Sequence, residues 1–178
     1  MTLAERVERL ESLAAIRHLP ARYGRAFASF DVDALVALFP LDVRVGRDAS
    51  GREALRRQFA TAMYLDDLAK AVRITILHIG THNIELDGPD DAHGDVYCHG
   101  EMQRADGTWF HQAIHYGDTY VRRDGEWYFA RRRHHLFYGV ELGERPNQLP
   151  PANWPEHDTG RGDMPARWPT WDAFWGSA

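Results

Sequence analysis

The chain has 178 residues and a mass of 20.4 kDa, which suits one domain large enough to bury a proper core. Hydrophobic residues make up 44% and charged residues 26%, a balance that excludes a disordered or membrane-spanning chain. A net charge of -5 offers no field to hold a polyanion, so no nucleic-acid partner is expected, and the single cysteine, Cys98, excludes an internal disulfide.

The N-terminal stretch MTLAERVERLESLAAIRHL carries charges every few residues. It therefore reads as neither a signal peptide nor a membrane span, and with one cysteine the expectation is a cytoplasmic protein with no membrane partner. Thr2 and Glu5 form a capping-box pattern that starts a helix. Leu3, Val7, Leu10 and Leu13 then recur at helical spacing as an apolar face. Pro20 predicts a kink or break near His18 and Leu19, after which Tyr23, Phe27 and Phe30 resume the face. Asp31 is the expected N-cap of a short second helix, DVDALVALF, that ends at Pro40. Ser50 and Glu53 repeat the capping-box pattern and open a third helix with Leu55, Phe59 and Met63 on one side.

From about Val72 the period changes from helical to alternating, and four long strands follow: VRITILHIGTHNIELDG, AHGDVYCHGEMQRADG, TWFHQAIHYGDTYVRRDG and EWYFARRRHHLFYG. Asp87-Gly88, Asp106-Gly107 and Asp124-Gly125 mark hairpins, because glycine tolerates the positive φ of tight turns. Helices first and an antiparallel meander after them make an α+β domain with helices packed on one sheet face. Beyond Gly143 the chain becomes rich in proline and tryptophan, with Trp154, Trp168, Trp171 and Trp175 too apolar for a disordered tail. Residues 144–178 are expected to form an ordered arm over the same domain or a partner subunit, and the Arg161-Gly162-Asp163 tripeptide in it to be incidental.

His78 is the first candidate for chemistry, lying in ITILHIGTHNIEL among Ile74, Ile76 and Leu77, where an imidazole is expected to be shielded from water. Such a group acts as a general base if a second group orients its ring; otherwise it is a structural histidine bonded to a backbone carbonyl. Tyr23 shares the inner face of the first helix with Phe27; its phenol either polarises a substrate oxygen or completes the core. Alternation puts Val96, Cys98, Gly100 and Met102 on one face as a pocket wall, opposite Asp95, Tyr97, His99 and Glu101. In the next strand Gln112, Ile114, Tyr116, Asp118 and Tyr120 share a face, unless a bulge reverses the parity. Phe27, Val96, Cys98, Met102 and Tyr116 are thus the expected substrate-binding set, with Cys98 as packing rather than a nucleophile. The ten histidines are scattered, with no HExxH and no paired Cys-x-x-Cys, so no metal is expected. No phosphate-cradling glycine motif is present, so no cofactor is expected either. The run Arg131-Arg132-Arg133 reads as a solvated face or a subunit contact.

The order and spacing of MTLAERVERLESLAAIRHLPARYGRAF, DVDALVALF, LHIGTHNIELDG, HGDVYCHGEM and YGDTYVRRDGEWYFARR resemble the SnoaL-like branch of the nuclear transport factor 2-like superfamily, over roughly residues 3–140. The resemblance implies a curved antiparallel sheet forming a cone, packed by the N-terminal helices (the nuclear transport factor 2-like or cystatin-like fold). The cone domain would span residues 1–143, with residues 144–178 an appended arm, and the chain would assemble as a homodimer or homotrimer. Such proteins include scytalone dehydratase, a bile-acid dehydratase, hexachlorocyclohexane dehydrochlorinase, ketosteroid isomerase and polyketide cyclases. The dehydratase-like members use a His–Asp pair as base and a tyrosine on the first helix. His78 and Tyr23 match the histidine and the tyrosine, but Ala28 stands at the aspartate's position, leaving Asp31 or Asp118 to replace it. The implied activity is a cofactor-independent lyase or isomerase reaction on a small hydrophobic hydroxy- or keto-compound such as a steroid, polyketide or aromatic catabolite. Two alternatives stand beside it: a binding protein that has lost the dyad, and an assembly role like that of ring-hydroxylating dioxygenase β chains.

Overall fold

Thr2 caps the first helix as its sequence predicts: its hydroxyl accepts from the Glu5 N–H at 3.2 Å while the Glu5 carboxylate accepts from the Thr2 N–H at 2.6 Å. The fold is that of a computed structural model, which describes residues 1–63, 71–143, 149–151 and 168–175. Helix α1 spans Leu3–Ala28 and continues through Pro20, so the break expected near His18 and Leu19 does not occur. Pro20 is buried beside Ile16 and Leu19, and that packing outweighs the one ladder bond a proline removes. Leu3, Val7 and Leu10, expected on the core face, are exposed; the buried stripe begins at Ser12 and Ile16.

The turn after α1 places Phe30 at φ 53, and Asp31 then caps α2 (Val32–Ala37) by accepting from the Ala34 N–H at 2.9 Å. A small hairpin of β1 (Arg44–Val45) and β2 (Ala49–Ser50), which the sequence pattern does not announce, leads into α3 (Arg52–Ala62). The capping box expected from Ser50 and Glu53 does not form, because Ser50 is the last residue of β2 and Gly51, at φ 88, is the N-cap. Glu53 instead faces Arg56 and Arg57. Leu55, Phe59 and Met63 are buried as the helical spacing requires.

The four strands β3 (Val72–Leu86), β4 (Asp91–Arg104), β5 (Trp109–Arg123) and β6 (Glu126–Glu141) pair antiparallel in sequence order. Each hairpin falls at an expected Asp-Gly pair, and Asp124 and Gly125 both hold positive φ (51 and 84), the geometry of a tight hairpin turn. Register pairs Leu77 with Gly100, Ile79 with Cys98, Cys98 with Ile114 and Val96 with Tyr116, so these side chains share the concave face. Shifts between Ile79 and His82, and two more between β5 and β6, are bulges that curl the sheet around the helices. Gly24 brings α1 onto β3, since a Cβ there would already touch the Leu77 Cβ at 3.5 Å.

The short helix α4 (Pro169–Trp175) lies on the same domain. The Trp171 indole N–H donates to the Arg73 carbonyl at 2.9 Å, the Thr170 hydroxyl donates to the Ser29 carbonyl at 2.8 Å, and Phe174 and Trp175 pack on Phe30. This much of the arm covers its own cone; Trp154 and Arg161-Gly162-Asp163 lie outside the described residues. No helix among the described residues is long and apolar enough to cross a membrane.

Candidate functional site

The concave face of the sheet, α1 and α3 enclose a cavity of about 720 Å³, within the ~300–1,000 Å³ typical of small-molecule sites. Phe27, Phe39, Leu55, Phe59, Leu77 and Ile114 supply most of its apolar wall. Tyr23, from α1, and Tyr116, from β5, meet edge to face with centroids 6.0 Å apart. Both hydroxyls are without a hydrogen-bond partner among the described residues, and burial raises both phenol pKa values, so both remain protonated donors at neutral pH.

Beside these two rings sits an ion pair. Arg132, on β6, points inward opposite Asp118 of β5, and the two side chains are only 4% and 0% exposed. The Arg132 Nε donates to Asp118 Oδ1 at 2.9 Å and Nη2 donates to Oδ2 at 2.6 Å. Burial works against the guanidinium charge, but the hydrogen bonds and charge of Asp118 outweigh it and hold the Arg132 pKa above its ordinary value. Its third nitrogen, Nη1, is buried without a hydrogen bond, and the guanidinium carbon lies 4.5 Å from the Tyr23 ring centroid and 4.2 Å from those of Tyr116 and Phe129. Behind the pair, the Tyr120 hydroxyl donates to Asp118 Oδ2 at 3.0 Å. That leaves the phenol oxygen to accept from His82 Nε2 at 2.9 Å, which fixes the His82 tautomer. His134, also on β6, borders the cavity with its ring centroid 5.4 Å from that of Tyr116. Burial, helped by His135 and Arg132, lowers its pKa, so it is neutral at pH 7.

The residues expected from sequence separate clearly. Tyr23, Phe27, Met102 and Tyr116 border the cavity together. Val96 and Cys98 are buried on the same concave face but belong to the packed core next to it. Burial pushes the Cys98 thiol up to about 11, as suits packing rather than a nucleophile. His78 is not shielded. Leu77 and Ile79 point into the cone, so alternation turns His78 outward, where it is 61% exposed and its Nε2 lies 3.4 Å from Glu101 Oε1. Asp31 caps α2, and Asp118 pairs with an arginine rather than a histidine, so neither rebuilds the imidazole–carboxylate pair missing at Ala28. Arg132 is not part of a solvated run; its parity with Asp118 carries it into the core while Arg131 and Arg133 stay exposed. Sequence reasoning missed Arg132, His82 and His134, although strict alternation along β6 would have set Arg132 and His134 on one face. Among the described residues no group of three or more His, Cys, Asp or Glu is placed to hold a metal.

The family model of the SnoaL-like domain matches residues 8–133. Among solved structures, the chain is similar to a candidate scytalone dehydratase from Novosphingobium aromaticivorans DSM 12444, at 21% identity and a TM-score of 0.63 over 78% of this chain and 92% of that one. It is similar to hexachlorocyclohexane dehydrochlorinase LinA-type3 from Novosphingobium barchaimii LL02, at 20% identity and a TM-score of 0.64 over 77% and 94%. An NTF2-like protein with a cystatin-like fold from Novosphingobium aromaticivorans is 28% identical, with a TM-score of 0.53 over 76% and 88%. No curated protein matches the sequence. The likeness to the two enzymes carries the fold: a cystatin-like cone of helices on a curled four-stranded sheet.

Proposed function

We propose that this chain, which belongs to the SnoaL-like domain family, binds a small hydrophobic hydroxy- or keto-compound inside the cone and catalyses its cofactor-independent elimination or isomerisation. The observation that carries this reading is the meeting of two protonated phenols, Tyr23 and Tyr116, and one inward guanidinium, Arg132, at the wall of an apolar cavity of about 720 Å³. Donors fixed in a low-dielectric site stabilise negative charge that develops on a substrate oxygen as a neighbouring C–H bond breaks. His134 is the base in this scheme. Its lowered pKa leaves the ring nitrogen free to take a proton at pH 7, and it borders the same cavity. His78 has no part in it, since its imidazole lies on the convex side. Dehydratase and dehydrochlorinase structures of the same fold support the reaction class by analogy.

The test is a panel of aromatic and polycyclic β-hydroxy ketones and β,γ-unsaturated ketones, with the conjugated product followed by its ultraviolet absorbance. His134→Ala is expected to cut kcat by about 100-fold or more, while His78→Ala keeps full activity. Loss of activity in His78→Ala alone would restore the convex-face histidine and sink this assignment.

A second reading follows from one observation. Among the described residues no carboxylate borders the cavity, and none orients His134 as an aspartate orients a catalytic imidazole. On that reading the chain is a binding protein, and the whole panel would bind without turnover. In either case we expect two or three copies to associate through the open convex face, where Tyr97, Phe137 and Tyr138 are exposed.

A further inference from the structure

The protein carries a net charge of -5, yet among the described residues no aspartate or glutamate borders the cavity, while Arg44, Arg104 and Arg132 do. Arg131 and Arg133 reach it only from convex-face positions, opposite Thr119 and Gly117. The buried ion pair is itself polarised toward the space: the Arg132 guanidinium borders the cavity and the Asp118 carboxylate stands behind it. Two of the three guanidinium nitrogens are spent on Asp118, and Nη1 has no hydrogen bond. The phenols of Tyr23 and Tyr116 flank that guanidinium, and neither hydroxyl has a hydrogen-bond partner among the described residues. Burial keeps both phenols in the donor form.

The two phenols and the guanidinium therefore lie together at the cavity wall, and among the described lining residues no carboxylate faces them. A neutral hydrocarbon filling this space would leave those donors unmet, which is costly in a dry interior. An anionic oxygen would meet them with charge-assisted hydrogen bonds, strengthened by the low dielectric. We infer that the cone selects an apolar molecule bearing a single anionic oxygen group, a carboxylate or its equivalent, which accepts hydrogen bonds from the Tyr23 and Tyr116 hydroxyls in the field of Arg132. This inference rests on the reading of the cavity as the ligand site and adds to it the class of ligand.

The probes are 8-anilinonaphthalene-1-sulfonate and N-phenyl-1-naphthylamine, which share one aromatic body and differ by the sulfonate. Both report binding by fluorescence, in titrations of the full-length protein at moderate salt. The anion is expected to bind at least about tenfold more tightly than the neutral probe, and each probe to displace the other. Tyr23→Phe with Tyr116→Phe keeps both rings; it should weaken the anion about tenfold and leave the neutral probe unchanged. Arg132→Met with Asp118→Asn removes both buried charges together and should have the same selective effect. If that pair of substitutions fails to fold, the phenylalanine variants decide alone. Equal affinities, or anion binding that ignores the phenylalanine substitutions, overturns the inference and leaves the proposed reaction standing. Binding of neither probe overturns both, because the cone would then hold no aromatic ligand.

Discussion

At Asp118, two carboxylate oxygens serve three donors: Arg132 Nε on Oδ1, and Arg132 Nη2 with the Tyr120 hydroxyl on Oδ2. Removing the carboxylate with Asp118→Ala strands a buried guanidinium, so it should destabilise the fold by about 3–5 kcal/mol in urea unfolding. Tyr120→Phe leaves the ion pair in place and should cost only about 1 kcal/mol. A smaller loss from Asp118→Ala than from Tyr120→Phe would mean the guanidinium is hydrated rather than enclosed. His82 and His134 set a pH dependence on the same network. Burial lowers both pKa values in the folded protein, so the unfolded chain binds more protons near and below the ordinary value of 6.5. Their contribution is therefore present above pH 6.5 and is lost as pH falls below it. His93 works the other way: its hydrogen bond to Asp87 raises its pKa, so its contribution holds below 6.5 and fades as pH rises. Urea midpoints between pH 7.5 and 5.5 should fall with pH, and less steeply in His82→Gln and His134→Gln than in the parent. An unchanged slope in both variants would show that neither ring is desolvated.

The elements depend on a few positions where no other residue fits. Gly94 of β4 pairs with Ile84 of β3, and a Cβ there would run into the Asn83 carbonyl oxygen. Gly94→Ala should therefore lower Tm by several degrees, about the effect of 1–2 kcal/mol in a domain of this size, whereas a change at the open Gly143 should not. The composition of the arm showed that Trp171 and Trp175 want burial, but not against what. The structure seats Trp175 on the Arg73 guanidinium, 3.6 Å from the ring centroid, and against Phe30. Trp175→Ala should cost about 3 kcal/mol, because it removes a buried indole from Phe30 and Arg73 and leaves only Phe174 on the Phe30 ring. A loss below about 1 kcal/mol would mean the helix only rests on the cone.

Over the whole molecule, the two faces of one sheet have different work. The concave face closes on helices and encloses the cavity; the convex face carries His78, Tyr97, His99, His111, His115, His135 and Phe137. Tyr97 stacks on Phe137 at 6.0 Å with 14° between the rings, forming an apolar patch edged by imidazoles. Analytical ultracentrifugation should find a dimer or trimer in the parent, and Tyr97→Glu with Phe137→Glu should shift it to monomer without loss of helical content. A monomer in both would remove self-association from the reading.

The three N-terminal helices and the four long strands were legible in the sequence, because helical and alternating periods and the Asp-Gly turns are local properties; the β1–β2 hairpin and α4 were not. Hydrophobic neighbours also marked the inner side for Tyr23 on α1, Met102 on β4 and Tyr116 on β5, the last only on condition that no bulge intervened; β4 and β5 pair without a register shift, and all three border the cavity. Which side of β3 and β6 faces inward was not legible in the sequence, because strand pairing sets it. On β3 the apolar residues Ile76, Leu77 and Ile79 fall on both faces, so composition could not set the parity of His78. On β6 three consecutive arginines look alike until the pairing of Asp118 with Arg132 draws the middle one inward. Register is a property of two strands, and a one-residue step reverses every side chain, so a base or a buried charge on such a strand is legible only once its partner is in place.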